Sequence, residues 1–499
     1  MVNPQSQSPP GTPAGVPARA STAPASTAPA STAPAITTLG ELRASGHEHE
    51  TVKQEIRRNL IARLRAGEDP FPGILGFEDT VRPHLERALI AGHDVILLGE
   101  RGQGKTRLIR TLTGLLDEWT PAIAGCEIND HPYAPACVRC RRLAAELGDA
   151  LPVTWRHRDQ RYGEKLATPD TSVGDLIGDI DPVKVAQGRT LGDPETIHYG
   201  LVPRTNRGVF CLNELPDLAE RIQVSLLNVL EERDIAVRGY ALRLPLDLVL
   251  VASANPEDYT NRGRIITPLK DRFGAEIRTH YPLTLEDELA VIRQEAEIAW
   301  GGQDAGAVLP AHLAEVIARF TRLVRSSTAV DSRSGVSARF AIAAAEAVVA
   351  AAVRRSAICG EEQPVARICD LPAVVSTLRG KVEFEVSEEG REAEVLEHLL
   401  RRATADTFRA HLGGADLSGL IARFANGGSV ESSDLLPARE LLRRIGEVPG
   451  LAKIMERLDG ADGESFGQAA AALEFALEGL YLMRRLSKDA VDGGAVYRG

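Results

Sequence analysis

The chain has 499 residues, 43% hydrophobic and 25% charged, with a formal net charge of −11. That length exceeds one ordinary core and implies two or three domains, and the average apolar and charged fractions imply a globular protein. The acidic balance argues against a general nucleic-acid coat, 4% aromatic residues leave little for base-stacking platforms, and no apolar run is long enough to span a bilayer.

Residues 1–36 are rich in Pro, Ala, Ser and Thr, with Ser-Thr-Ala-Pro-Ala repeated three times from Ser21 to Ala35, and read as a disordered tail. The N-terminus lacks the basic-then-apolar order of a secretion signal, and six cysteines in so long a chain suit a reducing cytoplasm rather than a disulfide framework. Val52, Ile56, Leu60 and Leu64 have helical spacing. Phe71-Pro72-Gly73-Ile74-Leu75-Gly76-Phe77 is an apolar turn, either packing on a nucleotide base or closing a core, before a second helix from about Glu78 to Ala91.

Val95-Ile96-Leu97-Leu98 reads as a buried strand, and Lys105-Thr106 opens a helix with Leu108, Leu112, Leu115 and Leu116 on one face. Between them lies Gly99-Glu100-Arg101-Gly102-Gln103-Gly104-Lys105-Thr106, the Walker A pattern. Its glycines let backbone N–H groups close around phosphates, Lys105 reaches the β/γ oxygens of ATP, and the Thr106 hydroxyl is a Mg²⁺ ligand. Behind this helix, Cys126, His131, Cys137 and Cys140 offer zinc-ligand types with one good C-x-x-C knuckle; with Pro132 and Pro135 interposed, an ordinary loop is the competing reading.

Pro152 to Trp155 is the next expected strand. Val209-Phe210-Cys211-Leu212-Asn213-Glu214 is an apolar strand ending in polar residues, in the Walker B position, and Glu214 is the group to orient and deprotonate an attacking water. A helix follows, with Leu218, Ile222, Leu226 and Leu230 four apart. Ile235 to Leu246 alternates as a hairpin around Arg238-Gly239-Tyr240, and Leu248 to Ala252 is a further buried strand that delivers Ser253 and Asn255.

With these motifs in order, the chain resembles an AAA+ ATPase, more narrowly the magnesium chelatase I subunit and its MoxR-like relatives. Further support comes from Ala167-Thr168-Pro169-Asp170 to Gly178, Asn206-Arg207-Gly208, Leu226 to Glu232, Ser253-Ala254-Asn255-Pro256 and Leu269-Lys270-Asp271-Arg272-Phe273-Gly274. The likeness covers about residues 70–355. It implies an α/β P-loop fold, a parallel sheet with helices on both faces, followed by a helical lid and a further mostly α region. It also implies that Asn255 is sensor 1, that Arg272 is an arginine finger acting in a neighbouring subunit, and that Arg339 is sensor 2, with Arg333 as the alternative. Asn213 departs from the usual aspartate; it keeps an oxygen ligand but loses a charge near Mg²⁺, so weaker metal binding or slower turnover is expected.

The expected division is a tail over 1–36, an ATPase core over 37–282 with a Cys/His insertion at 120–150, a lid over 283–375 and an α-helical domain over 376–499. Glu383, Glu385, Glu388, Glu389, Glu392, Glu394 and Glu397 form an acidic, solvated run that is strand-like at first, where Val382, Phe384 and Val386 alternate. The expected function is a cytoplasmic, ring-forming motor, hexameric by resemblance, that remodels a separate partner carrying a von Willebrand factor A domain. The alternatives are the motor of a true magnesium-porphyrin chelatase and a slow ATP-dependent switch or scaffold. A sigma-54-type transcription activator is disfavoured, because no Gly-Ala-Phe-Thr-Gly-Ala loop and no C-terminal helix-turn-helix appear.

Overall fold

The apolar runs of the sequence become the centre of a sheet covered on both sides. In the computed structural model, which describes residues 32–187, 196–231, 235–237, 240–242, 244–256, 265–298, 307–331, 335–425, 427–459, 465–491 and 494–499, five strands run parallel. They are β1 (Val95–Leu98), β2 (Tyr162–Leu166), β3 (Gly208–Asn213), β4 (Leu248–Ala254) and β5 (Ala275–Arg278), in the spatial order β5-β1-β4-β3-β2. Every residue of β1, β3 and β4 is buried. Successive side chains point to opposite faces: Val95, Leu97, Val209 and Val251 pack on the helices Val52–Ala66, Val81–Ala91 and Lys105–Thr111. Ile96, Leu98, Phe210 and Leu250 join the opposite cluster with the helix Glu220–Glu231.

Two strand expectations change. Val153–His157 is a strand, but it pairs antiparallel with Trp119–Ile123 outside the central sheet, and the residues between these two strands form the cysteine-bearing insertion. The second strand of the central sheet is instead Tyr162–Leu166, an edge strand whose Gly163, Glu164 and Lys165 carry no apolar alternation. Ile235–Val237 and Tyr240–Leu242 pair antiparallel, while Arg238 and Gly239 of the expected turn, like Arg333 and the tail up to residue 31, lie outside the described residues.

Helices dominate beyond residue 283, chiefly Leu285–Glu295, Ala311–Arg325, Ala338–Cys359, Glu392–Leu412 and Phe466–Leu482. A three-stranded antiparallel sheet joins them, with Gly494–Arg498 between Ser429–Ser433 and Ser487–Val491. Val382 is buried, but the expected strand around it consists of 3-10 turns with one isolated bridge from Phe384 to Val330, and Val386 is 86% exposed. One apolar cluster runs from Ile292 to Tyr497, across the expected boundary at 375/376. Within it, Arg367 and Glu474 form a fully buried ion pair, with the Ser432 hydroxyl donating to Glu474 at 2.6 Å. Among the described residues no helix is long and apolar enough to cross a membrane.

Candidate functional site

The phosphate loop turns where only glycine is comfortable. Gly102 and Gly104 have φ of 72° and 78°, and a Cβ on Gly102 would stand 2.0 Å from the Cβ of Ser337. The Lys105 side chain is buried and donates to the carbonyl of Gly99, to the carbonyl of Glu100 at 2.8 Å and to Asn255 Oδ1 at 3.0 Å. Behind the loop, the Thr279 hydroxyl at the end of β5 donates to Gln103 Oε1 at 2.7 Å. Phe71, Ile74 and Phe77 of the preceding apolar turn are buried in the core cluster, and Phe77 stacks edge-on against His280 with centroids 5.1 Å apart.

Parallel strands place their C-terminal ends on one edge of the sheet, so residues far apart in sequence meet there. Asn213 at the end of β3 accepts from the Thr106 hydroxyl at 3.4 Å and from the Ser253 hydroxyl at 3.1 Å. Its amide donates to Glu164 Oε1 at 2.8 Å. Glu164 also accepts from Arg110 Nε at 2.9 Å and from the Tyr162 hydroxyl at 2.9 Å, and that carboxylate raises the pKa of the Arg110 guanidinium. Glu214, next in chain, adopts the left-handed conformation with φ 56° and ψ 47°, an uncommon state for a non-glycine residue at a strand end. Its carboxylate accepts from Asn255 Nδ2 at 2.8 Å. Lys105, Asn255 and Glu214 are thus linked in one chain of hydrogen bonds, beside a second linking Thr106, Asn213 and Ser253.

The two arginines stand elsewhere. Arg339 is exposed in the first turn of the helix Ala338–Cys359. That helix begins against the phosphate loop, because the Ala338 N–H donates to the Gly102 carbonyl at 3.3 Å; separately, the Tyr281 hydroxyl donates to the Arg101 carbonyl at 2.8 Å. Arg272 is exposed at the end of the helix Thr267–Arg272, ahead of β5. Gly274 packs on His93 and the Ala275 N–H donates to the Asp94 carbonyl at 3.3 Å, just before β1 begins. Arg272 therefore lies at the N-terminal edge of the sheet, opposite the edge carrying Lys105 and Glu214.

In the insertion, one ligand atom each from Cys126, Asp130, Cys137 and Cys140 lies within 4.8 Å of the others. The expected fourth group was His131. Its imidazole instead accepts the Tyr133 N–H at 3.0 Å and places Nε2 3.4 Å from His47 Nε2, and burial, then Arg207, lowers its pKa to about 2. The thiols of Cys137 and Cys140 stabilise the Cys126 thiolate and hold its pKa low, while burial, then Cys126, raises Asp130 to about 6.

A family model described as the Sigma-54 interaction domain matches residues 190–272, the stretch holding β3, Glu214, β4, Asn255 and Arg272. The magnesium-chelatase 38 kDa subunit of Cereibacter sphaeroides is 29% identical over 253 residues, covering 47% of this chain and 68% of that one. Its counterpart from Rhodobacter capsulatus is 31% identical over 229 residues, covering 45% and 60%. The chain resembles AAA+ ATPases and is related in sequence to magnesium-chelatase subunits. The chain spans between 46% and 68% of the length of curated relatives of this kind. A solved complex of subunits BchI and BchD of magnesium chelatase aligns with 66% of it and 98% of that chain, at 21% identity and a TM-score of 0.34.

Two residues, one beside the phosphate loop and one in the insertion, escaped the motif reading. Glu164 had no signal, because Tyr162–Leu166 does not alternate. Asp130 had one: a carboxylate between Cys126 and Cys137 is itself a zinc-ligand type.

Proposed function

We propose that this chain hydrolyses ATP at the interface between neighbouring copies in a ring and uses the lid's movement to remodel a separate protein partner. The observation that carries the reading is the convergence of Lys105, Asn255 and Glu214, from three different strand ends, in one hydrogen-bonded chain. Backbone N–H groups of Gly99 to Thr106 cradle the phosphates, and Lys105 exchanges its loop carbonyls for β/γ oxygens. Asn255 holds the Glu214 carboxylate so that it accepts the proton of the attacking water. Thr106 and Asn213 are hard oxygen donors one hydrogen bond apart, with the Glu164 carboxylate next to them, and this donor set fits Mg²⁺. When bound, Mg²⁺ supplies charge neutralisation for the phosphates.

The lid begins on the loop itself, since Ser337 covers Gly102, so phosphate contacts made by Arg339 are transmitted to the helix Ala338–Cys359. Arg272 completes the site of the adjacent copy. The likeness to magnesium-chelatase subunits supports a partner with a von Willebrand factor A domain, and the absence of a pairing pattern among six cysteines supports a reducing cytoplasm. The names of those relatives favour the motor of a porphyrin chelatase as a second reading, and Asn213 favours a slow switch as a third.

Steady-state ATPase assays on the wild type and Glu214→Gln, with nucleotide binding measured in parallel, test the hydrolytic assignment. The variant should retain binding and lose about 100-fold or more in rate. Equal rates would remove Glu214 from the mechanism, and a wild type that binds ATP without measurable turnover would favour the switch.

A further inference from the structure

We propose that Cys126, Asp130, Cys137 and Cys140 hold one zinc ion, with Asp130 in the place that residue spacing suggests for His131. A tetrahedral zinc with bonds of about 2.3 Å to sulfur sets its thiolates about 3.8 Å apart. The four donor atoms, all within 4.8 Å of one another, need a contraction of roughly 1 Å, and the space admits a single ion rather than a cluster. Three thiolates select a soft or borderline metal over Mg²⁺ or Ca²⁺.

The carboxylate is prepared for the role independently of the sulfurs. Asp130 is 1% exposed, and its Oδ2 accepts the backbone N–H groups of Ala136 at 3.0 Å and Cys137 at 2.8 Å. Its Oδ1 is buried and has no hydrogen-bond partner, a costly arrangement unless a cation takes that oxygen. The sulfurs are oriented in the same way: the Asp130 N–H points to Cys126 Sγ at 3.4 Å and the Cys140 N–H to Cys137 Sγ at 3.3 Å. Backbone donors to a ligand set are the usual outer support of a metal site. His131, one residue on, is turned to His47 and the Tyr133 N–H.

The site does structural work at a distance from hydrolysis. Asn129 Nδ2 donates to the Arg204 carbonyl at 2.7 Å, and Asn206 Nδ2 donates to the Ile128 carbonyl at 3.0 Å. A metal that closes the loop from Cys126 to Cys140 thereby clamps the turn from which β3 starts toward Asn213 and Glu214.

Full-length protein purified without added metal is assayed for metal content, together with Asp130→Ala and His131→Ala. About one zinc per chain is expected in the wild type and in His131→Ala, with zinc lost in Asp130→Ala. Absence of zinc in the wild type overturns the site, and retention in Asp130→Ala with loss in His131→Ala overturns the ligand assignment. Should Asp130→Ala not fold, wild-type protein stripped by chelator and titrated with Co²⁺ decides. Thiolate charge-transfer bands with intense tetrahedral d–d absorption support the site, and a weak octahedral spectrum refutes it. Neither readout depends on ATP turnover, so the zinc site and the hydrolytic reading fail separately.

Discussion

Asn213 stands where a carboxylate is expected, and the missing charge sits one strand away. Its amide bridges Thr106 and Ser253 on one side to Glu164 on the other, so Glu164 lies behind the oxygen proposed as a Mg²⁺ ligand. Two outcomes follow from that geometry. Glu164→Gln should raise the Mg²⁺ concentration for half-maximal ATPase several-fold, because the carboxylate hydrogen-bonded to Asn213 is lost. Asn213→Asp should lower the melting temperature by the equivalent of about 2 kcal/mol, since it replaces a donor to Glu164 with a second carboxylate. Asn213→Asp combined with Glu164→Gln should recover most of that loss. Melting of Asn213→Asp at or above the wild-type temperature would refute the pairing. Asn213 and Glu214 were legible from their place at the end of an apolar strand. Glu164 was not, because an edge strand buries only part of each face and Tyr162–Leu166 shows no period.

At the level of elements, the sequence indicates a mostly helical region after residue 283 but not which helices meet. His411, on the helix Glu392–Leu412, places Nε2 2.7 Å from Glu315 Oε2 on the helix Ala311–Arg325, and its Nδ1 lies 3.2 Å from the Arg457 carbonyl. Arg319 shares Glu315, with Nε 2.8 Å from Oε1. The bond to Glu315 raises the imidazole above its ordinary 6.5, while His411 and then Arg319 hold Glu315 below its own despite desolvation. The folded state therefore binds the His411 proton more tightly than the unfolded chain does. That contribution is complete below the ordinary imidazole pKa and is lost as pH rises through the raised folded value. The Glu315 contribution runs the other way, present above the ordinary carboxylate pKa and lost on acidification through its lowered value. Between about pH 6 and about pH 8, thermal melts should show the wild type losing stability relative to His411→Ala by up to about 1 kcal/mol. An unchanged pH response in the variant would discard the pair as a contributor.

For the whole molecule, the parallel sheet separates Arg272 from its own phosphate loop by the length of β5, about 13 Å at the usual strand rise. That placement suits the proposed action of Arg272 on a neighbour's nucleotide. Arg272→Ala and Glu214→Gln should each be inactive alone, and mixing them should restore part of the hydrolysis, because some interfaces then combine an intact Glu214 with an intact Arg272. No recovery, with ring assembly shown by sedimentation, would count against action in trans.

What the sequence determined by itself is the chemistry carried by contiguous residues. The phosphate loop from Gly99 to Thr106, the polar end of β3 and the apolar strand leading to Asn255 follow from local glycine, charge and periodicity. Those requirements are met within one turn or one strand. Tertiary structure alone decided which side chains meet. Lys105 and Asn255 are 150 positions apart, and Glu164 and Asn213 are 49; strand order, not spacing, brings them together. The choice between Asp130 and His131 depends on which way one buried turn faces its three thiols, and that direction is set by the Ala136 and Cys137 N–H groups rather than by residue type.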